Sequence, residues 1–422
     1  MNLNKLATII RMGFDKNVIK QLLKVYKIYH VDDNFSLKKY MKMMIKMTTG
    51  EKIVKHDDRY IISTFMPPIP SESFITNATA VDDMKKVFTK QLKAERIAPI
   101  SIYLCVTHKC PNNCVYCSSK NRQQERELTT DEWRNTIRDL QDMNTSIIGI
   151  TGGEPMIRED IYDIVSSIDD RSTSILFTSG FNLTLEKVKQ LKACGLFGIG
   201  ISLDSPLKEE HNEHRRDDQA FDYALNALKV SNEGGLYTMV QTVILKKDID
   251  EEKLFELFKL AKRSGAHEVK ILEPVLSGNL LNATNLDEIL YNQADRNKLI
   301  AIQHKANKIK ALPKITTFAY TESKEKFGCG AGTQHSYISA DGHLYPCDFV
   351  PMSFGNVKKE GIQRLWKEMN TVIGNPKRSC FAQKVNRQVI QVSKGQLPIN
   401  KEKSMIICKN NQSKEMPDYY KI

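Results

Sequence analysis

The sequence predicts an α/β fold in which a largely parallel sheet is preceded by a mostly helical segment and followed by a small cysteine-containing domain. Three observations predict it. From Ala98 onward, short β-rich runs alternate with amphipathic helical runs, as in sheets whose parallel strands are joined by right-handed crossovers. Before that point the periodicity is mainly helical, and beyond residue 312 a second set of cysteines begins. We therefore predict three parts, at residues 1–97, 98–312 and 313–422.

Length and composition are those of an ordinary globular protein. The chain has 422 residues, of which 41% are hydrophobic and 27% charged. No apolar run approaches the roughly 18 residues of a membrane span, and the apolar stretch 6–10 ends at Arg11, which argues against a secretory signal. The nine cysteines fall in metal-like spacings, which favours a reducing compartment over a disulfide framework. We expect a cytoplasmic protein.

The N-terminal segment is basic and amphipathic. Residues 1–60 hold 13 Lys and Arg against 6 Asp and Glu, which is more than half of the net charge of +12. Such a segment suits a helical cap on the core, or a contact with a membrane surface or an amphipathic partner. No nucleic-acid partner is expected. The periodicity predicts helices over 16–30, 36–48 and 81–95, a hairpin over Lys52–Thr64, and an extended linker at Pro67, Pro68 and Pro70.

Six strands are predicted in the core. In parallel α/β folds, functional residues gather where strands end at their carboxyl ends, so the residues that follow each strand are site candidates. The predicted strands are Ser101–Val106, Ser146–Thr151, Thr173–Thr178, Phe197–Leu203, Thr238–Leu245 and Glu268–Leu272, with helices between them, for example Thr130–Met143 and Phe221–Ser231.

A cysteine triplet follows the first of these strands. Cys110, Cys114 and Cys117 read C-x3-C-x2-C and place three thiolates on one short loop. Closely spaced thiolates bind iron–sulfur clusters or zinc, and structural zinc normally takes four protein ligands where this loop offers three. A four-iron cluster held by three cysteines leaves one iron free of protein ligands. A structural zinc loop and thiols without metal remain the alternatives.

Two further polar motifs follow later strands. Gly152-Gly153-Glu154 comes after the second strand, where glycines let the backbone approach a ligand and a carboxylate can accept hydrogen bonds from a cationic amine. Ser202 ends the fourth strand, and Arg215 follows shortly after it. With the cysteine loop ahead of them in this order, these motifs resemble the signature of the radical S-adenosylmethionine (radical SAM) enzymes.

The resemblance implies a partial (β/α)6 barrel, a 4Fe–4S cluster and S-adenosylmethionine. The cluster would be held by Cys110, Cys114 and Cys117, and its open iron would take the amino and carboxylate groups of S-adenosylmethionine. The alternative to cofactor binding is that Ser202 caps its strand and that Arg215 forms a surface ion pair. The resemblance also implies an electron donor such as ferredoxin or flavodoxin; no catalytic acid or hydrogen donor is evident. The cofactor-binding residues implied are Tyr116 beside adenine, Gly152, Gly153 and Glu154 at the methionine amine, and Ser202 and Arg215 at the ribose and carboxylate.

A second cysteine system lies beyond the core. Cys329, Gly342 and Cys347 read C-x12-G-x4-C, with a hairpin turn predicted at Asp341-Gly342. This resembles the opening of the SPASM or twitch extension of radical SAM proteins and implies a second, auxiliary 4Fe–4S cluster. The C-x2-C-x5-C-x3-C run of the full extension is absent. We predict Cys329, Cys347 and Cys380 as ligands and Cys408 as the fourth, although its polar surroundings also favour disorder; a zinc site is the alternative.

The predicted reaction is the reductive cleavage of S-adenosylmethionine to a 5′-deoxyadenosyl radical that removes a hydrogen atom from a substrate. Relatives with such extensions mostly modify peptides, so oxidation or cross-linking of a ribosomally made peptide is the first expectation. The basic, methionine-rich N-terminus makes a lipid or membrane-associated small molecule the second, with the protein peripheral at the membrane. A non-enzymatic iron–sulfur sensor or scaffold is the third, and the Gly-Gly-Glu motif argues against it, since a scaffold needs no cofactor pocket.

Overall fold

The computed structural model describes residues 3–63 and 65–422, and its N-terminal part is mostly helical. The helices predicted over 16–30 and 36–48 are confirmed, and the predicted hairpin is present, although Thr64 at its end lies outside the described residues. The expectation of an extended linker at the prolines is wrong, because Ile69 is buried and pairs with Tyr60. The elements are α1 Leu3–Phe14, α2 Lys16–Tyr29, α3 Leu37–Thr48, β1 Val54–His56, β2 Arg59–Ile61, α4 Glu72–Thr79 and α5 Val87–Leu92.

One nine-stranded sheet forms the centre of the molecule. All six predicted strands are confirmed with ends displaced by at most two residues. Its members in chain order are β3 Ser101–Cys105, β4 Ile147–Thr151, β5 Thr173–Thr178, β6 Gly198–Ser202, β7 Tyr237–Val243, β8 Glu268–Leu272, β9 Lys314–Thr317, β10 His335–Ile338 and β11 Leu344–Tyr345.

The sheet is parallel except at one edge. Its order is β11-β10-β3-β4-β5-β6-β7-β8-β9, and only β10 and β11 run antiparallel to each other. The sheet is open, with β11 and β9 at its edges, which agrees with the predicted α/β class and with a barrel that does not close. β9 and β10 both lie beyond residue 312, so the sheet itself crosses the predicted boundary between core and C-terminal part.

Helices cover one face of the sheet, and the strand alternation explains why. In β4, Ile148 and Ile150 pack into the main hydrophobic core with the helices, whereas Ile147 points to the opposite, inner face. Helices 6 to 14 are α6 Thr130–Asp142, α7 Ile161–Ser166, α8 Leu185–Ala193, α9 Lys208–Arg215, α10 Ala220–Glu233, α11 Glu251–Arg263, α12 Leu286–Ile289, α13 Gln293–Ala306 and α14 Phe318–Thr321.

Two glycines on the inner face make room for large aromatic rings. A Cβ at Gly149 would lie 2.4 Å from the Tyr103 ring, and a Cβ at Gly200 would lie 2.6 Å from the Phe177 ring. Because both glycines are kept free of side chains, these two rings extend across the interior of the sheet, with centroids 5.0 Å apart. The interior of the barrel-like sheet is therefore lined by aromatic side chains.

The C-terminal part shares the hydrophobic core of the sheet. Trp366, Met369 and Phe381 belong to the same buried cluster as the core helices, and one C-terminal helix packs on α6. Among the described helices, none is long and apolar enough to cross a membrane. The remaining helices are α15 Val357–Glu360, α16 Ile362–Ile373, which contacts α6, α17 Phe381–Ser393 and α18 Lys401–Asn410.

A buried ion cluster ties the N-terminal part to the sheet. Lys314 Nζ on β9 lies 2.8 Å from a Glu268 carboxylate oxygen on β8 and 3.6 Å from a Glu51 oxygen that precedes β1. All three side chains are fully buried. A buried ion pair adds little net stability over an apolar replacement, but removing one partner alone is costly because the other charge stays buried.

We expect Lys314→Met to lower the free energy of unfolding by about 3–5 kcal/mol, because Glu268 and Glu51 lose their shared cation. Urea denaturation measures this. Lys305→Met is the matched control, since Lys305 pairs with Glu251 on the surface with 64% of its side chain exposed, and surface pairs are worth about 0–1 kcal/mol. Equal losses in the two variants would contradict the ion-cluster explanation.

Candidate cofactor site and auxiliary thiol cluster

The cysteine loop lies at the carboxyl ends of the parallel strands. Cys110, Cys114 and Cys117 are half-buried and line one cavity. The other predicted cofactor residues that line this cavity are Tyr116, Gly152, Gly153, Ser202 and Arg215, which follow or end strands β3, β4 and β6. The structure thus brings all three loop cysteines and five of the six predicted cofactor-binding residues to one cavity.

Backbone contacts hold the cysteine loop from two sides. The Val115 N–H donates to the His214 carbonyl of α9 at 3.0 Å. On the other side, the Asn279 side chain donates to the Cys114 carbonyl at 2.7 Å, and its backbone N–H donates to the Cys117 carbonyl at 3.0 Å. These bonds fix where the thiols point without involving the sulfur atoms, so the sulfurs stay available to a ligand.

The loop thiols are arranged as a metal-binding set. Burial, together with the charges of Cys114 and Cys117, raises the pKa of Cys110 to about 12. Burial also raises the pKa of Cys114, while Arg215, whose guanidinium donates to Cys114 Sγ at 3.7 Å, opposes that rise. Three thiolates that repel one another are stabilised together only by a cation, and metal binding releases their protons. The residues present therefore fit an iron–sulfur cluster.

The Gly-Gly turn after β4 packs directly against the base of this loop. A Cβ on Gly153 would lie 2.1 Å from the Lys109 carbonyl oxygen, so only glycine permits this approach. The Gly153 N–H donates to the Thr107 carbonyl at 2.7 Å, and the Glu154 N–H donates to the Lys109 carbonyl at 2.8 Å. Sequence analysis expected the glycines to let backbone approach a ligand, and the structure shows that they also let backbone approach backbone.

Glu154 lies below the cavity, and its carboxylate is already engaged. It accepts hydrogen bonds from the Thr178 hydroxyl at 2.6 Å, from the Ser179 N–H at 2.7 Å and hydroxyl at 2.6 Å, and from the Met156 N–H at 3.0 Å. Contact between this carboxylate and the methionine amine stays a prediction. Ser179 itself lines the cavity and was missed by sequence analysis, although its place just after β5 was the available signal.

We expect Glu154→Gln to weaken S-adenosylmethionine binding by about 10- to 100-fold, because a Gln amide N–H would face the N–H of Ser179 and disturb a charged hydrogen-bond set worth about 1.5–3 kcal/mol. Equilibrium titration of the cluster-loaded protein measures the affinity, and iron content should stay at the native value. Glu159→Gln, five positions away and exposed, is the control. Native affinity in Glu154→Gln would remove this residue from the site.

Arg215 is not in a surface ion pair. Its guanidinium donates to the Asp204 carboxylate at 2.8 and 3.1 Å and lies 5.4 Å from the centre of the Tyr116 ring. The Tyr116 hydroxyl also donates to Asp204, whose side chain is fully buried. Burial raises the pKa of Tyr116 well above its ordinary value. Asp204 therefore orients both cavity residues, a role that sequence analysis did not assign to it.

Three of the four C-terminal cysteines come together. Cys329 and Cys380 hydrogen-bond to each other, which lowers the pKa of Cys329 to about 7 and raises that of Cys380. The Phe381 N–H also donates to Cys329 Sγ at 3.4 Å. Burial raises the pKa of Cys347 well above its ordinary value, and the charges of Asp348 and Cys329 raise it further. Facing thiols of this kind fit a second metal centre.

Cys408 is neither disordered nor part of this group. It lies in α18 and is buried, so the expectation of disorder is wrong. Within the described residues, the charged neighbour that affects the pKa of Cys408 is Lys377, not another cysteine. Asn411, one of the polar residues that suggested a tail, is itself buried and donates to Gln388 and to the Ile407 carbonyl, so this stretch is packed against the protein. Near the three clustered thiols the structure instead places Glu322, His335 and Asp348.

A second chamber adjoins the cavity of the cysteine loop. Its wall includes Cys329 and Cys347. Burial raises the pKa of Glu322, another of its wall residues, well above its ordinary value. The chamber and the cavity of the cysteine loop share a wall that is formed by Thr151, Phe177, Gln241, Leu272, Asp348 and Phe349.

β10 explains how the second thiol group reaches the chamber. It adds to the sheet beside β3, in parallel, with Tyr337 opposite Tyr103. The β10–β11 turn at Asp341-Gly342 was predicted, and the hairpin is confirmed. Because β10 is parallel to β3 and β11 runs back antiparallel to β10, the chain that carries Cys347 leaves β11 at the amino ends of these strands, opposite to the carboxyl ends that carry the cysteine loop.

Comparison with known proteins agrees with this geometry. The model of the radical SAM superfamily matches residues 104–261, and the model of the SPASM iron–sulfur cluster-binding domain matches residues 329–387. The chain is a radical SAM enzyme. The SPASM match begins at Cys329 and includes Cys347 and Cys380, and it ends before Cys408.

Similar proteins include curated enzymes and solved structures. The AdoMet-dependent heme synthase of Methanosarcina barkeri is 28% identical over 292 residues, covering 64% of this chain and 82% of that protein. The enzyme of the same name from Nitratidesulfovibrio vulgaris is 25% identical over 288 residues, covering 62% and 77%. Streptococcus suis SuiB bound to precursor peptide SuiA has a TM-score of 0.55 at 18% identity, covering 67% of each chain, which is a likeness of fold.

This radical SAM enzyme uses a 4Fe–4S cluster, S-adenosylmethionine and an auxiliary cluster in its SPASM domain. We propose Cys110, Cys114 and Cys117 as the ligands of the first cluster, because they share one cavity with the polar residues expected to contact S-adenosylmethionine. We propose the clustered thiols of Cys329, Cys347 and Cys380 for the second. The fourth ligand of the auxiliary cluster stays open, since Cys408 faces Lys377.

Proposed function

We propose that this protein oxidises a C–H bond of a substrate that enters the chamber between the two thiol groups. The wall that this chamber shares with the cofactor cavity is the observation that carries the proposal. When bound, the first cluster and S-adenosylmethionine supply a 5′-deoxyadenosyl radical that takes one hydrogen atom from the substrate, and the auxiliary cluster supplies an acceptor for the electron that is left. An external reductant, with ferredoxin or flavodoxin as our proposed donors, delivers the first electron.

The protein's own residues position the reactants. Arg215 and Tyr116 are held rigidly by Asp204 at the cavity wall, and Ser179 is held by Glu154. Such fixed polar groups bind and orient a cofactor without reorganising during the reaction. The aromatic residues of the inner face exclude water from the path between cofactor cavity and chamber, which protects a reactive radical from side reactions.

A peptide is the first substrate class that we propose. SuiB, whose fold is similar, has been solved with a precursor peptide. The chamber is also about as wide as one amino-acid side chain, because Lys270 lies 5.1–5.7 Å from the centres of three aromatic rings in the chamber wall. A peptide can insert one side chain into such a space while its backbone stays outside.

Two other classes are supported by single observations. The name of the curated relatives, AdoMet-dependent heme synthase, favours a tetrapyrrole. The exposed apolar side chains of the N-terminal helices favour a lipid, or a membrane surface to which the protein binds peripherally, because they lie among lysines that attract anionic headgroups. These exposed side chains are Leu6, Ile10, Phe14, Ile19, Leu23, Leu37, Met41 and Ile45.

Anaerobic incubation of the cluster-loaded protein with S-adenosylmethionine and dithionite tests the reaction. Equal amounts of methionine and 5′-deoxyadenosine are expected, and their absence would contradict the proposal. Mass spectrometry of added peptide, tetrapyrrole or fatty acid then tests the substrate class. A peptide that loses two hydrogen atoms supports the first candidate, and conversion of only the tetrapyrrole or only the lipid would replace it.

A further inference from the structure

Lys270 is a buried cation in the wall of the chamber. It lies on β8, in register with Gln241 of β7 and Thr316 of β9, and points to the inner face of the sheet. Only 3% of the residue is exposed. Sequence analysis predicted the strand but gave no reason to single out this lysine within it.

The surroundings of Lys270 are aromatic. Its Nζ donates a hydrogen bond to the Tyr103 hydroxyl at 3.1 Å. It also lies 5.7, 5.5 and 5.1 Å from the ring centres of Tyr103, Phe177 and Phe318, respectively. Ring faces attract a cation, but each such contact is worth roughly 0.5–2 kcal/mol, which is small beside the several kcal/mol that burying a charge costs.

Lys270 lacks a carboxylate partner within the described part of the chain. Three other lysines there are buried. Lys314 pairs with Glu268 and Glu51, and Lys326 donates to three carbonyls and lies 3.8 Å from Glu51. Lys377, which lies outside the chamber, donates to the Ile373 carbonyl and, like Lys270, has no carboxylate in an ion pair with it among the described residues. Glu322 lines the same chamber as Lys270 but does not form an ion pair with it. The charge of Lys270 only partly opposes the rise that burial causes in the pKa of Glu322. An ammonium has three donors, and one is used here.

We propose that Lys270 binds a carboxylate of the substrate. The substrate, or the part of it that enters the chamber, would carry this carboxylate on an apolar or aromatic carbon chain, because a group bound to Lys270 would lie against the rings of Tyr103, Phe177 and Phe318. Binding would give the buried ammonium its counter-ion and would place neighbouring carbon atoms between the cofactor cavity and the second thiol group. Only the identification of the chamber as the substrate site rests on the proposed function; carboxylate binding itself needs no turnover.

Ligand-observed NMR titration of the anaerobic, cluster-loaded protein tests the proposal. One probe pair is 3-phenylpropionate and its neutral amide, and the other is acetyl-Phe-Glu-amide and acetyl-Phe-Gln-amide. In the native protein we expect an acid to bind about 10- to 100-fold more tightly than its matched amide. Preference within the first pair alone identifies a free carboxylic acid, and preference within the second identifies a peptide side chain; either supports the proposal.

Three variants separate binding from structure. Lys270→Met should abolish the preference for acids and leave the amides unchanged, and Lys270→Arg should retain it because the charge is kept. Lys305→Met is the control, since Lys305 lies 5.4 Å from the Phe255 ring but on the exposed surface. If Lys270 were purely structural, Lys270→Met would lower the melting temperature without changing the preference for acids over amides. That result would overturn the proposal.

Two further results would overturn it: equal binding of acids and amides by the native protein, and an unchanged preference for acids in Lys270→Met. The proposed function is judged separately by 5′-deoxyadenosine formation in the native protein. If acids bind through Lys270 and no 5′-deoxyadenosine forms, the radical reaction fails and the carboxylate site stands. If 5′-deoxyadenosine forms and acids bind no more tightly than their amides, the carboxylate site fails and the radical reaction stands.

Discussion

Replacing Cys110, Cys114 or Cys117 by Ala is expected to abolish the formation of 5′-deoxyadenosine. The three thiols share one cavity, and because they would repel one another as thiolates, we propose that one cationic centre binds all three. The loop itself should keep its shape, because backbone bonds to His214 and Asn279 hold it without the sulfurs. Each variant should therefore lose about four irons per chain while remaining folded.

Cys194→Ala is the control for these variants. Cys194 caps α8, away from both thiol groups, and it should keep native iron content and native 5′-deoxyadenosine yield. Iron analysis and chromatography of the reaction measure the two quantities. A loop variant with native yield and full iron content would show that the ligand assignment is wrong, and circular dichroism would show whether any loss comes from unfolding.

The double variant Cys329→Ala/Cys347→Ala is expected to separate S-adenosylmethionine cleavage from substrate conversion. It should lose about half of the iron, still cleave S-adenosylmethionine, and fail to convert substrate, because the two clusters have separate ligand sets. The two thiol groups line two adjoining but separate spaces, which is why one can be removed without the other. The measurements are iron content, 5′-deoxyadenosine and substrate mass in parallel.

Cys408→Ala is the matched control for the double variant. Cys408 is buried, as Cys329 is, but faces Lys377, so we expect native iron content. Loss of iron in Cys408→Ala would restore it as the fourth ligand and contradict the placement of α18. Zinc in place of half of the iron in the native protein would favour the structural zinc site that the cysteine spacing alone leaves open.

The strands and the cysteine loop could be predicted because their signals are local. Each parallel strand is a short β-rich run, and Cys110, Cys114 and Cys117 lie within eight residues of sequence. Helix α4 and the burial of Ile69 escaped prediction because the prolines before them read as a linker. Pairing of Ile69 with Tyr60 and packing against helices α2 and α3, which the sequence does not display, make that stretch part of the N-terminal core.

The polar residues of the chamber could not be predicted in the same way. Lys270 lies in the middle of a strand, and His335 lies on β10, which joins the sheet beside a strand more than 200 residues earlier. Only the register of the sheet brings them to the inner face. For Glu154, the motif itself could be predicted from the sequence, but its hydrogen bonds could not. The four donors to its carboxylate come from the end of β5 and from its own turn.

Electron paramagnetic resonance of the reduced, cluster-loaded protein tests the central claim most directly, namely that the chain holds two clusters of which one binds S-adenosylmethionine. Two signals are expected. Adding S-adenosylmethionine should shift one of them and leave the other unchanged, and only the shifting signal should remain in Cys329→Ala/Cys347→Ala. A single signal in the native protein, or two signals that both ignore S-adenosylmethionine, would contradict the account.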